Sequence, residues 1–228
     1  MAKYNTFLFD LDETLLDFEA AKKHALKSII EEAKIPYSKE VVECYERINH
    51  HLWRSYEEGK IQLHEVINTR FQRFFKEYGI DVDGITYDKK FRQYLAEGNY
   101  VIDGAVELIT DLKDQYDLYI VTNGVPDTQY KRLKNAGIES YFKGIFVSVE
   151  IGYQKPMKKF FDYVFERIPN LNKSKTLIIG DSLSSDIQGG INAGIDTCWF
   201  NPRKNHNHSN FKPNYEIHKL EELYRIIE

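Results

Sequence analysis

Short apolar runs recur along the chain, separated by longer amphipathic stretches. Thr6–Leu11, Leu118–Thr122, Ile145–Val149, Thr176–Gly180 and Asp196–Phe200 are near-continuous apolar segments of strand length. That is the pattern of strands buried on both faces. Helical periodicity fills the intervals, at about Ala105–Gln115, Asp127–Ala136, Met157–Ile168 and Leu183–Ala193. Gly137 and Gly194 follow two of these, where a helix end favours a left-handed residue. The alternation predicts an α/β fold: a Rossmann-like parallel sheet core with helices on both faces.

One stretch departs from the alternation. From Phe18 to about Glu97 no strand pattern is legible, only amphipathic helix. Val41, Tyr45, Ile48, Leu52 and Tyr56 recur at steps of three and four, and Phe71, Phe74, Phe75 and Tyr78 form a second stripe. The prediction is a helical insert at 17–97 within a core made of 1–16 and 98–228. Pro202–Pro213 is a long polar loop, and a short strand and helix over Tyr215–Ile227 complete the core.

Composition adds exclusions. At 42% hydrophobic and 29% charged, the 228 residues are ordinary for a globular protein. A net charge of −4 offers no global attraction for a nucleic-acid polymer or an anionic membrane. Cys44 and Cys198 stand far apart, without metal or disulfide-framework spacing. No stretch has the length of a membrane span or the form of a signal peptide. A cytoplasmic protein is expected.

Candidate chemistry gathers at strand ends. The run Phe7-Leu8-Phe9-Asp10-Leu11-Asp12-Glu13-Thr14 ends an apolar strand in two carboxylates at i and i+2. Ligand sites of open α/β sheets lie beyond the carboxyl ends of the strands. A bland reading is a turn with an Asp cap for a following helix. Gly180-Asp181-Ser182-Leu183-Ser184-Ser185-Asp186 again puts a carboxylate straight after an apolar strand, with Asp186 about one turn into the helix that follows. Carboxylates brought together repel unless a cation lies between them, and hard oxygen ligands suit Mg²⁺. Val121-Thr122-Asn123-Gly124 supplies a hydroxyl, an amide and a loosened backbone suited to phosphate oxygens, and Lys155-Pro156 supplies a point positive charge. Alone, the first is also what a plain turn looks like, and the second what a solvated loop lysine looks like.

Together, Asp-x-Asp, Thr, Lys-Pro and Gly-Asp-x4-Asp in that order resemble the haloacid dehalogenase superfamily, with a helical insert similar to its C1 cap. Glu13 departs from the Gly that many members carry in Asp-x-Asp-Gly-Thr. The resemblance implies an Mg²⁺-dependent phosphomonoester hydrolase working through an aspartyl phosphate. Asp10 would be the nucleophile and Asp12 the acid and base. Thr122, Asn123 and Lys155 would bind the phosphoryl group. Asp10, the carbonyl of Asp12 and Asp181 would hold Mg²⁺, with Mn²⁺ or Co²⁺ as alternatives, and Asp186 would orient Lys155 or a metal-bound water. The cap would close over the site and contact the rest of the substrate. His50, His51, Trp53 and Tyr56 are candidates for that contact, although the stripe they border also fits cap core. His206 and His208 lack an obvious third ligand.

The run Gly194–Pro202 and the ending Tyr215–Leu223 are similar to a bacterial 5′-nucleotidase branch. The implied substrate is a small phosphorylated compound, a nucleoside monophosphate with a pyrimidine base, and the implied state a monomer or homodimer. Alternatives are a sugar-phosphate phosphatase or phosphomutase of the same fold, a dehalogenase (which has no need of an acid at position 12), and an inactive binding or regulatory protein.

Overall fold

The structure, a computed structural model, describes residues 3–227. The chain forms two compact units: one runs up to Asp17 and resumes at Asn99, and the other is Phe18–Gly98. No helix among the described residues is long and apolar enough to cross a membrane.

The first unit begins with β1 (Thr6–Phe9). The second unit holds α1 (Phe18–Glu32), α2 (Lys39–Glu57), α3 (Leu63–Lys76) and α4 (Gly84–Leu95). The first unit then resumes with α5 (Ala105–Leu112), β2 (Asp117–Thr122), α6 (Pro126–Asn135), β3 (Gly144–Val147), the single turn α7 (Ser148–Ile151) and α8 (Lys158–Arg167). It ends with β4 (Thr176–Gly180), α9 (Gln188–Ala193), β5 (Asp196–Phe200), β6 (Tyr215–Ile217) and α10 (Tyr224–Ile227).

The six strands form one parallel sheet in the order β3-β2-β1-β4-β5-β6. Because successive side chains alternate across a strand, the apolar runs feed two cores. Phe7, Phe9, Ile120, Ile179 and Phe200 pack on one face with Leu108, Ile109 and Leu112 of α5. Leu8, Val121 and Ile178 pack on the other with Phe160, Phe161 and Val164 of α8. The strand order reverses between β1 and β4, which are paired with Phe9 opposite Ile179. A crevice at such a switch point is where open α/β sheets bind ligands.

Several predicted elements are bounded differently: β1, expected to reach Leu11, ends at Phe9, and the helix expected to reach Gln115 ends at Leu112. The third strand, expected to reach Val149, stops at Val147, because Ser148–Ile151 closes a helical turn capped by Gly152 at φ 83°. The helix expected from Leu183 opens as a wide π turn over Leu183–Ile187 before α9 begins.

In the helical unit, Ser38 caps α2 by accepting the Val41 N–H, and Asp83 caps α4 by accepting those of Ile85 and Thr86. Tyr45, Phe71, Phe74 and Phe91 form a buried aromatic cluster, with Tyr45 stacked on Phe71 at 5.4 Å between centroids. Tyr56 is buried with Leu52 and Val66, and Trp53 packs edge-on against it at 5.9 Å. Tyr56 therefore belongs to the unit's own core, as the stripe allowed, and offers no free face to a ligand, while Trp53 is half-buried beside it. The cause is spacing: Leu52 and Tyr56 lie one turn apart on the apolar stripe of α2. His50 and His51, on the opposite side of that stripe, are exposed.

Candidate active site

Asp10 is the first residue beyond β1, and its N–H donates to Ile179 O of β4 at 2.9 Å. Asp181 is the first residue beyond β4. Thus the two carboxylates flank the switch point from neighbouring strand ends. Lys155 reaches the same place from the loop before α8. Its buried ammonium donates to Asp10 Oδ1 at 2.6 Å, to Asp186 Oδ1 at 2.6 Å and to Val121 O at 2.7 Å. Thr14 donates to Asp10 Oδ2 at 3.2 Å.

Asp186 spends its other oxygen on the N–H of Ser182, at 3.1 Å. With one oxygen on Lys155 and one on backbone, it anchors the lysine. Gly180 makes this possible, since a Cβ there would sit 2.3 Å from the Asp186 carboxyl carbon. Asn123, grouped above with the phosphate-binding residues, uses its side chain otherwise. Its amide donates to Lys155 O and its carbonyl accepts the Lys155 N–H, both at 2.9 Å. That two-point clasp fixes the lysine loop to the end of β2, leaving only the Asn123 backbone to face an anion. The Thr122 hydroxyl accepts from Gly124 N–H at 3.1 Å and from the Gln129 amide at 2.9 Å. With both lone pairs engaged, its own O–H is left to donate.

Asp12 lies two residues past Asp10, half-buried. Arg132 and Gln129, one turn apart on α6, hold it: Arg132 Nη1 is ion-paired to Oδ1, and Gln129 Nε2 donates to Oδ2 at 2.8 Å. Neither residue, nor the Thr14 bond to Asp10, was legible in the sequence. The one signal was polar residues on a core-facing helical stripe, since Thr128, Gln129, Arg132 and Leu133 are all buried on α6.

Charge is not balanced here. Asp10, Asp181 and Asp186 offer carboxylate oxygens all within 4.8 Å of one another, against the single ammonium of Lys155. Burial pushes the Asp10 carboxyl up to about 7, against the pull of Lys155, with Asp186 and Asp12 adding repulsion. Burial, Asp10 and Asp186 likewise hold Asp181 well above the carboxylate range. For Lys155, burial alone would lower the ammonium, but Asp10 and Asp186 outweigh it and hold the group raised and charged. Several buried hard oxygens with a surplus of negative charge are the donor set a small divalent cation such as Mg²⁺ requires, so the residues present fit that ion.

Glu13 adopts φ 60°, in the left-handed region that favours glycine. That accounts physically for the Gly expected at this place. Its carboxylate pairs with Arg203 of the loop after β5 at 3.0 Å. His206 and His208 are exposed on that loop.

The sequence profile of the haloacid dehalogenase-like hydrolases matches residues 7–200. The chain is 53% identical to the HAD-hydrolase YfnB of Bacillus subtilis over 227 residues, covering 100% of this chain and 97% of that one. It is 40% identical to the pyrimidine 5′-nucleotidase PynA of Streptococcus pneumoniae, covering 96% and 93% of the two chains. With the pyrimidine 5′-nucleotidase YjjG of Escherichia coli it shares 31% identity, over 99% and 98%. The crystal structure of B. subtilis YfnB bound to magnesium superposes with a TM-score of 0.94, covering 98% of each chain.

Proposed function

The chain belongs to the haloacid dehalogenase-like hydrolase family, and on that premise we propose that it hydrolyses phosphate monoesters through an aspartyl phosphate on Asp10. The carrying observation is the buried Asp10 carboxylate, held by Lys155 and Thr14 beside Asp181 at the sheet's switch point. In the first step, with Asp12 protonated and Asp10 ionised, an Asp10 oxygen attacks phosphorus, the bond from phosphorus to the leaving oxygen breaks, and Asp12 gives that oxygen its proton. In the second, water attacks phosphorus, its proton passes to Asp12, and the bond to Asp10 breaks to release phosphate. Lys155 offsets the phosphoryl charge as a point cation, and the Thr122 hydroxyl and the backbone N–H of Asn123 bind the phosphoryl oxygens. Asn123 and Asp186 keep Lys155 in place.

Asp10, the Asp12 carbonyl and Asp181 would hold Mg²⁺. When bound, the ion neutralises the carboxylate surplus and the charge of the phosphoryl group. Magnesium in the YfnB crystal structure supports this assignment.

The substrate class we infer is nucleoside 5′-monophosphates, pyrimidine before purine. It rests on full-length similarity to PynA and YjjG, both pyrimidine 5′-nucleotidases. The test is kcat/KM for UMP, dUMP, TMP, AMP, GMP and glucose 6-phosphate, with Mg²⁺ and with excess EDTA. Pyrimidine nucleotides should lead and EDTA should silence all. A leading hexose phosphate defeats the nucleotidase reading, and full activity in EDTA defeats the metal.

A further inference from the structure

Two buried polar residues of α6 have no place in the scheme above. Arg132 and Gln129 are 4% and 2% exposed, on the stripe of α6 that also buries Leu133. Burying a guanidinium and a carboxamide is expensive, and packing alone would be served better by apolar side chains. Both nevertheless converge on one carboxylate more than a hundred residues earlier in the chain, that of Asp12.

The bonding is directional and shared. Arg132 Nη1 pairs with Asp12 Oδ1 and also donates to Gln129 Oε1 at 3.3 Å, which fixes the orientation of the carboxamide. The Gln129 NH₂ then faces Asp12 Oδ2 at 2.8 Å and the Thr122 hydroxyl at 2.9 Å. Independently, Gly124 clears the path: a Cβ there would lie 2.4 Å from Gln129 Nε2 and 2.5 Å from its Cδ. The glycine after Thr122-Asn123 is thus what admits Gln129 between strand β2 and Asp12.

We propose that Arg132 and Gln129 are positioning residues for proton transfer by Asp12. They set the rotamer and plane of its carboxylate, and they couple it through Gln129 to the phosphoryl-binding hydroxyl of Thr122. A carboxylate has about four lone-pair directions. The clamp occupies one on each oxygen, so one on each remains for the proton that goes to the leaving oxygen. The proposal rests on the reading of Asp12 as the general acid, and the test separates failure of one from failure of the other.

The test exploits leaving groups. The alkoxide of UMP needs a proton as it departs, whereas the phenolate of 2,4-dinitrophenyl phosphate leaves as a stable anion. kcat/KM reports phosphoryl transfer to Asp10, so loss of positioned acid should appear with the first substrate and not the second. Arg132→Met and Gln129→Met should each lower kcat/KM for UMP by about 10- to 100-fold, the usual effect of removing a partner that orients a reacting group. The value of Arg132→Met for 2,4-dinitrophenyl phosphate should stay within about threefold of wild type, since that reaction does not draw on the acid, whereas Gln129→Met, which also frees the Thr122 hydroxyl, should lose on it roughly tenfold less than on UMP. Arg132→Lys, which keeps the cation, should recover part of the loss on UMP.

Equal losses on both substrates, or no loss on either, would overturn the clamp. If Arg132→Met does not give a cooperative melt, Gln129→Met decides by the same criterion. Asp12→Asn in the same assays tests the underlying reading. If Asp12→Asn shows no leaving-group dependence, Asp12 is not the acid and the clamp falls with it. If Asp12→Asn shows the dependence and the α6 variants do not, only the clamp falls.

Discussion

Both units bury charge, and they do so in opposite ways. In the helical unit, Asp88 of α4 is fully buried and accepts from Arg70 Nε and Arg92 Nε, each at 2.7 Å. Arg70 also donates to Asn49 Oδ1 at 3.3 Å and lies over the Phe91 ring at 4.8 Å. Every strong acceptor there is met by a cation, and the cluster ties α2, α3 and α4 together. At the strand ends of the other unit, Asp10, Asp181 and Asp186 crowd around Lys155 alone. In one network two cations of the chain meet a single buried carboxylate, and in the other three carboxylates face one ammonium. The lesson is that burial of charge alone does not mark a site. Buried carboxylates that outnumber the cations facing them do.

The strongest way to break this comparison is to remove one carboxylate from each network. Asp10→Asn should lower turnover of UMP at least about 10⁴-fold, as loss of a nucleophile does, while the thermal melt stays unchanged or rises because repulsion is relieved. Mass spectrometry of the purified variant should exclude deamidation, and substantial residual turnover would contradict the nucleophile. Asp88→Asn is the mirror image. It leaves two guanidinium groups facing a neutral partner, so stability should fall by about 3–5 kcal/mol, a drop in Tm of roughly 6–20 °C for a chain of this size. If Asp88→Asn leaves Tm unchanged, the Asp88 network is not structural.

Titrating the cation sharpens the contrast further. The Asp10 carboxyl is raised from 3.8 to about 7, and Asp181 is raised too. At these two sites the metal-free folded chain therefore holds more protons than the unfolded chain between about pH 4 and 7. Linkage then requires that the stability these groups contribute is present at low pH and lost as pH rises through that window. Mg²⁺ needs the ionised carboxylates, so its stabilisation grows over the same window. At 100 times its Kd it should add about 2.7 kcal/mol near pH 8, and little at pH 5. Melts with and without Mg²⁺ across pH 5–8 check the sign, and a Tm shift independent of pH would contradict it.

The smallest expected effect is at Glu13. Replacing it with Gly removes a left-handed side-chain residue that costs about 1–3 kcal/mol but restores glycine's chain entropy and deletes the exposed Arg203 pair. The net change in stability should lie within about 1 kcal/mol. A loss well beyond that in a denaturant melt would make the Arg203 contact structural.

The sequence by itself determined the parallel sheet, most of its strand bounds, the helical stretch and the residues that gather at the strand ends. The reason is that these are local patterns. Apolar runs fix strands, and a carboxylate just past a run is delivered to the carboxyl edge of the sheet whatever its neighbours are. Tertiary structure alone decided which side chains meet there. Gln129 and Arg132 reach Asp12 because β2 pairs beside β1 and α6 leaves from its end, a relation set by strand order across more than a hundred residues. Asn123 turns its amide to Lys155 because the loop before α8 passes within hydrogen-bonding distance of the β2 end. Tyr56 is claimed by Val66 of a neighbouring helix, with Trp53 half-buried beside it. Charge balance is decided partly the same way: Arg92 stands one turn from Asp88 on α4, a pairing written in the sequence, but only packing brings Arg70 to Asp88 and two more carboxylates to Asp10.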